Sequence, residues 1–159
     1  MPDTGYLEKI KKLGCICHET VMERRGMNPL KDGKLLLFYR KLLKTIHPAA
    51  VLTYTIKPNI YGGVACRLAK VPYLVNITGL GTTLEHDGPL QKLIVLLYRT
   101  GMSGAGCVFF QNEQNLAFMR QKSCLKKRTK TRVISGSGVN LEEHPPMPYP
   151  KEDTVRFVS

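Results

Sequence analysis

Apolar residues recur along the chain in two alternating patterns. Short apolar runs, which predict buried strands, cover residues 49–52, 72–75, 107–110 and 133–134. Between them lie segments with apolar positions three or four apart, which predict helices over residues 29–46, 58–70, 89–100 and 112–121. Strands that alternate with helices indicate a parallel sheet with right-handed crossovers. The predicted fold class is therefore α/β, a Rossmann-like parallel sheet flanked by helices.

Residues before position 29 predict one more helix and one more strand. Asp3 or Thr4 can cap a helix that places Leu7, Ile10 and Leu13 on one face, and Gly14 ends it. Residues 15–19 follow as a strand, with Cys15 and Cys17 on the same face. We expect packing to explain these two cysteines and the other three to be reduced, partly buried thiols, because no metal-type spacing is present.

Each predicted strand leads into a polar or glycine-bearing loop. Carboxyl ends of parallel strands meet at one edge, and open α/β sheets bind their ligands there. The sequence therefore predicts a binding rim at this edge. Its candidate residues are Thr55, Lys57 and Asn59 after the first run, Asn76, Thr78, Gly79 and Gly81 at the second, Asn112 and Glu113 at the third, and Gly136, Ser137, Gly138 and Asn140 at the fourth.

Four of these stretches carry a family resemblance. TYTIKPNIYGG from Thr53, VNITGLGT from Val75, CVFFQNEQN from Cys107 and SGSGVNLE from Ser135, in this order, resemble the amino-terminal domain of family 4-like glycosyltransferases, in particular bacterial enzymes of capsule, O-antigen and related glycan assembly. The resemblance implies a GT-B architecture, with the active site between two Rossmann-like domains. It further implies a retaining hexosyltransferase that uses a nucleotide sugar, UDP-linked, as substrate and needs no metal or other cofactor.

The resemblance divides the candidate residues between two roles. The residues from Thr55 to Glu113 face a polyprenyl-diphosphate-linked or glycan acceptor, and those from Gly136 to Asn140 lie on the donor side or at the hinge. Lys57 either meets a pyrophosphate or caps an exposed turn. Many relatives have a histidine where Thr78 stands, so no catalytic residue is assigned, and the paired glutamates of the family belong to the carboxyl-terminal domain.

The resemblance also predicts that the chain is a fragment. Residues 1–144 form the acceptor-side domain without its first strands, which in the family lie between the strand at 15–19 and the strand at 49–52. Residues 145–154 are proline-rich and read as an interdomain linker, and 155–159 begin the next domain. We expect this chain alone to be inactive and poorly stable.

Lys and Arg number 24 against 12 Asp and Glu, a formal net charge of +12, so an anionic partner is expected. The densest cluster, residues 120–132, has no aromatic side chain and no nucleic-acid-binding motif, so nucleic acid is not a predicted partner. The alternative interpretation is that this cluster is a solvated helix end and the turn that leads into a strand.

The helix predicted at 89–100 favours an anionic membrane surface. Leu90, Leu93, Ile94 and Leu97 supply a core face, and further apolar residues lie beside Lys92 and Arg99. The alternative is a helix covered by missing parts of the protein. The expected location is cytoplasmic, peripheral on the inner face of the cytoplasmic membrane.

Two other classes of protein stay open. One is a nucleotide-binding module, which the absence of a GxGxxG after any strand disfavours. The other is a non-catalytic α/β domain that binds a membrane surface or a partner.

Overall fold

The computed structural model of the chain describes residues 6–20, 26, 28–80, 84, 87–136 and 138–147. Helices and strands alternate along these residues. In chain order the elements are α1 (Leu7–Lys12), α2 (Pro29–Ile46), β1 (Val51–Tyr54), a π-helical segment (Pro58–Gly62) that continues into α3 (Gly63–Ala69), β2 (Tyr73–Ile77), α4 (Pro89–Met102), β3 (Cys107–Phe110), α5 (Glu113–Gln121) and β4 (Thr131–Val133).

The four strands form one parallel sheet in the order β1-β2-β3-β4. One row across the sheet runs from Tyr54 to Asn76, Phe109 and Arg132, so all four strands end at the same edge. The parallel α/β fold predicted from the sequence is confirmed. The boundaries of β3 match the predicted ones, and those of the other three strands differ by one or two residues, because the ladder of hydrogen bonds, and not apolarity alone, decides where a strand ends.

Local signals explain where the helices begin and end. The Asn28 side chain accepts hydrogen bonds from the amides of Leu30 and Lys31 at 3.1 and 3.2 Å, and Pro29 occupies the first turn of α2. His47 adopts a left-handed conformation and ends α2 before Pro48. Asn112 caps α5 by accepting from the Asn115 amide at 2.8 Å.

The helices cover one face of the sheet. Tyr73, Val75 and Ile77 alternate along β2 as fully buried residues, and Val108 and Phe110 do so along β3. Side chains from α2, α3, α4 and α5 join them in a single hydrophobic cluster. On the other face, Leu52 and Tyr54 of β1 are 59% and 48% exposed. The core of the described residues therefore lies entirely between the sheet and one layer of helices.

Glycine allows the helix layer to pack closely. A Cβ atom on Gly101 of α4 would lie 2.7 Å from the Asn59 carbonyl oxygen and 2.7 Å from the Ile60 Cα. The Tyr73 hydroxyl donates to the Gly101 carbonyl at 2.7 Å and accepts from the Gly104 amide at 3.1 Å. α4 is thereby fixed directly against the π-helical segment.

The predicted strand at residues 15–19 is wrong for this structure. These residues form no regular element, and Cys15, Ile16 and Cys17 are all exposed, so packing does not explain the two cysteines. A strand requires a neighbouring strand to pair with, and none of the strands that the structure describes pairs with this segment. Cys66 and Cys124 are buried as free thiols, as expected, and Cys107 is partly buried.

The predicted core face of α4 is partly wrong. Gln91, Ile94, Tyr98 and Met102 are buried, whereas Leu90 and Leu93 are 48% and 45% exposed. The close contact at Gly101 fixes the rotation of the helix and turns these leucines outward.

The two predictions for the carboxyl end of the chain remain predictions. Residues 148–159, which include the proposed start of a second domain and most of the predicted linker, lie outside the described residues.

We predict that Gly101→Ala lowers the free energy of unfolding by about 1–3 kcal/mol, because the added methyl group overlaps backbone atoms that cannot move aside easily. Gly33→Ala in α2 is the matched control. Its Cβ meets nothing within 4 Å, so the alanine is expected to raise stability by about 0.5–1 kcal/mol. Denaturant unfolding measures both changes, and equal stability of the two variants would contradict the packing role of Gly101.

Candidate functional site

The carboxyl edge of the sheet brings together most of the residues predicted for the rim. Thr55 follows β1, Thr78 and Gly79 follow β2, and Asn112 and Glu113 follow β3. Gly136, Gly138 and Asn140 lie a few residues beyond β4, and Gly81 and Ser137 lie outside the described residues. Because neighbouring strands are about 4.8 Å apart, the four loops span roughly 15 Å of one edge.

Thr55 stands out at this edge by its backbone conformation. Its φ is +66°, in the left-handed region that disfavours a β-branched side chain, and the residue is exposed. Its carbonyl accepts a hydrogen bond from the Asn59 amide at 3.1 Å and so begins the helical segment. Strained residues of this kind concentrate at functional sites. Thr55 is therefore exposed at the edge where open α/β sheets generally bind their ligands.

Lys57 is held in a buried ion pair. Its Nζ lies 2.8 Å from Oδ1 of Asp32 in α2, and the two side chains are only 11% and 6% exposed. The Tyr61 hydroxyl donates to the other oxygen of Asp32 at 3.1 Å. The ammonium therefore has a carboxylate partner already, which offsets the positive charge that Lys57 would present to a pyrophosphate.

Burial and Asp32 together perturb Tyr61. Burial is the larger cause, and the hydrogen bond to the Asp32 carboxylate adds to it, raising the pKa of Tyr61 to about 12. Neither Asp32 nor Tyr61 is among the candidate residues predicted from the sequence. A signal was available for Asp32, because it lies three residues before Leu35 and eleven before Leu43, on the buried stripe of α2.

Asn59 and Asn76 have a structural role, because a hydrogen bond connects them. Asn59 is 1% exposed, and its Nδ2 donates to the Asn76 carbonyl at 2.9 Å, which joins the start of the π-helical segment to the end of β2. The Oδ1 atoms of both asparagines are buried and have no partner within the described part of the chain. Such acceptors call for a donor, a water molecule or a ligand group.

The loops after β3 and β4 show turn chemistry. Asn112 uses its side-chain oxygen as the cap of α5, and Glu113 is exposed in the first turn of that helix. Gly136 and Gly138 have φ values of +56° and +70°, which glycine adopts without strain. Asn140 accepts from the Glu142 amide at 3.1 Å. All five residues are exposed, but the side-chain oxygens of Asn112 and Asn140 already accept hydrogen bonds from the backbone.

A second surface lies on the outside of α4. Leu90, Leu93 and Leu96 project from it with exposures of 48%, 45% and 58%, and Lys92 and Arg99 are exposed on the same helix. None of the described helices is long and apolar enough to span a membrane. We call these three leucines and two basic residues the α4 surface.

Burial disfavours the reactive thiolate form of Cys66 and Cys124. Burial raises the pKa of Cys66 and of Cys124 to about 11 in each case. Among the residues that the structure describes, no group of three His, Cys, Asp or Glu side chains is placed to hold a metal ion. The described rim residues offer hydroxyl, amide and backbone groups for hydrogen bonding, together with the exposed carboxylate of Glu113.

We predict that Asp32→Asn lowers the free energy of unfolding by about 3–5 kcal/mol, because it leaves the Lys57 charge buried without its partner. Asp87→Asn is the control. Asp87 pairs with Lys122 at 2.7 Å, but its side chain is 85% exposed, so no measurable loss is expected.

The Asp32→Asn variant also tests what raises the pKa of Tyr61. Its pKa is expected to fall below 12 but to stay above 10, because burial remains when the carboxylate is gone. Since a raised tyrosine pKa favours the neutral folded form, Tyr61 stabilises the fold below pH 10, and this contribution is lost as pH rises through 12. An unchanged alkaline titration in Asp32→Asn would contradict the role of Asp32.

One curated relative aligns along almost the whole chain. It is the N,N'-diacetylbacillosaminyl-diphospho-undecaprenol alpha-1,3-N-acetylgalactosaminyltransferase of Campylobacter jejuni, 28% identical over 162 aligned positions. The alignment covers 99% of this chain but 43% of the relative, so the chain spans less than half the length of that protein.

The family comparison covers more than half of the chain. The model of the family described as "Glycosyl transferase 4-like" matches residues 7–112, a range that holds α1, the sheet as far as β3 and three of the four rim loops. Together with the four-stranded parallel sheet, this match shows that the chain belongs to the glycosyl transferase 4-like family.

Proposed function

We propose that this chain supplies the acceptor-binding half of a retaining glycosyltransferase, which moves a hexosyl group from a UDP-linked sugar to a polyprenyl-diphosphate-linked glycan. The observation that carries the proposal is the rim at the carboxyl edge of the sheet, within a chain of the glycosyl transferase 4-like family. The Campylobacter relative supports the substrate class, because its name specifies an undecaprenol-diphosphate-linked acceptor and an N-acetylgalactosaminyl group.

The rim residues suit the recognition of sugar hydroxyl groups. Thr55, Thr78 and Glu113 are exposed at adjacent strand ends and offer two hydroxyls and one carboxylate. A sugar ring presents several hydroxyls as donors and acceptors, so several convergent polar groups fix its orientation better than a single group does. Gly79 lets the acceptor approach the backbone closely.

The leaving diphosphate needs positive charge nearby, and among the described candidate residues of the rim the one cation, Lys57, is already paired. Departure of a nucleoside diphosphate is assisted by Lys, Arg or helix N-termini, and Lys57 already has Asp32 as its partner. We therefore assign the donor site to residues beyond this chain, in a second domain, and Gly136 to Asn140 to the donor side or hinge. On this proposal, sugar transfer needs both the acceptor-binding domain in this chain and the second, donor-binding domain.

We predict that a protein containing this chain and its second domain releases UDP from a UDP-sugar when a polyprenyl-diphosphate-linked saccharide is added. A donor panel that includes UDP-N-acetylgalactosamine, read by UDP release and by mass spectrometry of the lipid product, measures it. This chain alone is expected to give no transfer. A complete protein that transfers none of the donors would contradict the proposal.

Thr78→Val tests the rim within the same assay. It removes one hydroxyl from an exposed position, so we expect kcat/KM to fall about three- to tenfold with stability unchanged. Thr129→Val, just before β4 at the opposite edge of the sheet, is the matched control and should have full activity. Equal activity in both variants would show that the acceptor binds elsewhere.

We also propose that the α4 surface holds the protein on an anionic bilayer, where a lipid-linked acceptor is found. Three outward leucines can insert among lipid head groups, and nearby basic residues attract anionic lipids by about 1 kcal/mol each. The net charge of +12 acts in the same direction. On this proposal the enzyme is cytoplasmic and peripheral, and it serves cell-surface polysaccharide synthesis such as capsule or O-antigen assembly.

We predict that vesicles containing anionic phospholipid bind the protein and that neutral phosphatidylcholine vesicles do not. Binding should weaken as salt rises, because the Debye length is only about 8 Å at physiological ionic strength. Leu93→Ser with Leu96→Ser is expected to reduce binding, whereas Leu141→Ser, at a residue 67% exposed outside α4, is not. Co-sedimentation measures this, and equal loss in the control would contradict a specific α4 surface.

A further inference from the structure

Three helices of the layer, α2, α3 and α4, expose charge of one sign. Over these helices and the π-helical segment there is one acidic residue, Asp32, and it is buried and paired with Lys57. Basic residues are exposed along the same helices, at positions 34, 40, 41 and 44 of α2, 67 of α3, and 92 and 99 of α4. The solvent-facing side of these helices is therefore positive, with no acidic side chain among the basic ones.

α2 has a mixed stripe of leucine and lysine opposite its buried side. Positions 30, 34, 37, 41 and 44 recur at intervals of three or four residues, so they fall on one side of the helix. The two leucines of the stripe, Leu30 and Leu37, are 81% and 61% exposed, and its three lysines are exposed as well. Because Leu35 and Leu43 already supply the buried side, the outer leucines have no part in the core.

α3 and α4 continue this surface. α3 packs against α2 and against α4 in the same layer. Its Leu68 is 56% exposed, close to the values of the leucines on the α4 surface. Neighbouring helices lie about 8–10 Å apart, so the exposed leucines are spread over a side of the molecule about 16–20 Å wide. We call this side the outer helix face; it consists of Leu30, Lys34, Leu37, Lys41 and Lys44 of α2, Leu68 of α3 and the α4 surface.

We propose that the whole outer helix face, and not the α4 surface alone, lies flat on an anionic phospholipid bilayer. Its leucines insert at the level of the head groups, and its basic residues attract the anionic lipids. A protein partner is bound through a contiguous apolar centre with a polar rim, whereas here leucines and basic residues alternate over three helices, which suits a fluid interface. The inference rests on the bilayer contact in the proposed function but not on sugar transfer.

Contact through this face fixes the orientation of the rim. The helix layer then lies between the bilayer and the sheet, so the strands run along the bilayer surface, about 10 Å above it, which is the diameter of one helix. Asp32 in the first turn of α2 meets Lys57 just after β1, so the Leu30 end of the stripe lies on the side of the rim. A group carried on a lipid head group therefore approaches the rim from the side, along the bilayer.

Tryptophan reporters test the orientation, because this chain has no tryptophan of its own. Leu37→Trp and Leu93→Trp place a reporter on α2 and on α4, and Leu52→Trp places one on the exposed opposite face of the sheet. The protein that contains this chain is mixed with vesicles of phosphatidylglycerol and phosphatidylcholine with brominated acyl chains, and the unaltered protein gives the background. We expect quenching and a blue shift of the emission at positions 37 and 93 and no change at position 52.

A charge test uses Lys34→Ala with Lys41→Ala. Their removal should lower the affinity for the same vesicles about 30-fold, which corresponds to about 1 kcal/mol for each lysine. Lys130→Ala with Arg132→Ala is the matched control. Arg132 pairs in register with Phe109, whose neighbours Val108 and Phe110 face the core, so these two basic residues lie on the sheet face away from the helices. The control removes the same charge and should lower the affinity much less.

The other outcomes overturn the inference. Quenching at position 93 without quenching at position 37 means that α4 alone contacts the bilayer, which leaves the proposed α4 surface in place. Quenching at position 52, or at none of the three positions, means that another face or no face of this chain contacts the bilayer. Equal loss of affinity in the two alanine pairs means that binding follows net charge and not the outer helix face. Sugar transfer enters none of these measurements, so its failure is tested separately.

Discussion

The fold of this protein depends mainly on right-handed crossovers between parallel strands that are neighbours both in the chain and in the sheet. With the order β1-β2-β3-β4, each connecting helix falls on the same face of the sheet. That face becomes the core, with Val75, Ile77, Val108 and Phe110 fully buried, while the other face leaves Leu52 59% exposed. The parallel strands also end along one edge, so the candidate rim and the exposed face are two consequences of one connectivity.

Close packing within the helix layer then decides which surfaces face outward. Gly101 admits the backbone of the π-helical segment, and the Tyr73 hydroxyl bonds the same turn of α4 to β2. Arg67 of α3 adds hydrogen bonds to the Thr100 carbonyl at 3.0 Å and to the Ser103 hydroxyl. With α4 fixed in rotation by these contacts, its outer leucines form the surface that we propose for membrane contact.

The Lys57–Asp32 pair links the layer of helices to the rim. A buried ion pair is seldom a large net source of stability, but removing one partner is costly, so the pair fixes the position of α2 relative to the end of β1. It also reduces the free charge at the rim. On the proposed function, this leaves acceptor recognition to hydroxyl and amide groups and assigns diphosphate charge to another part of the enzyme.

Sequence patterns were sufficient to predict the α/β class, the four strands of the sheet, most helix boundaries and the edge where the candidate residues meet. Apolar runs and helix signals such as Asn28 and Asn112 are local, and local chemistry suffices to read them. Other features depend on contacts between residues that are distant in the sequence. None of the described strands pairs with residues 15–19, α4 leaves Leu90 and Leu93 exposed, and Lys57 pairs with Asp32, 25 positions away. Burial and pairing depend on neighbours that sequence spacing does not specify.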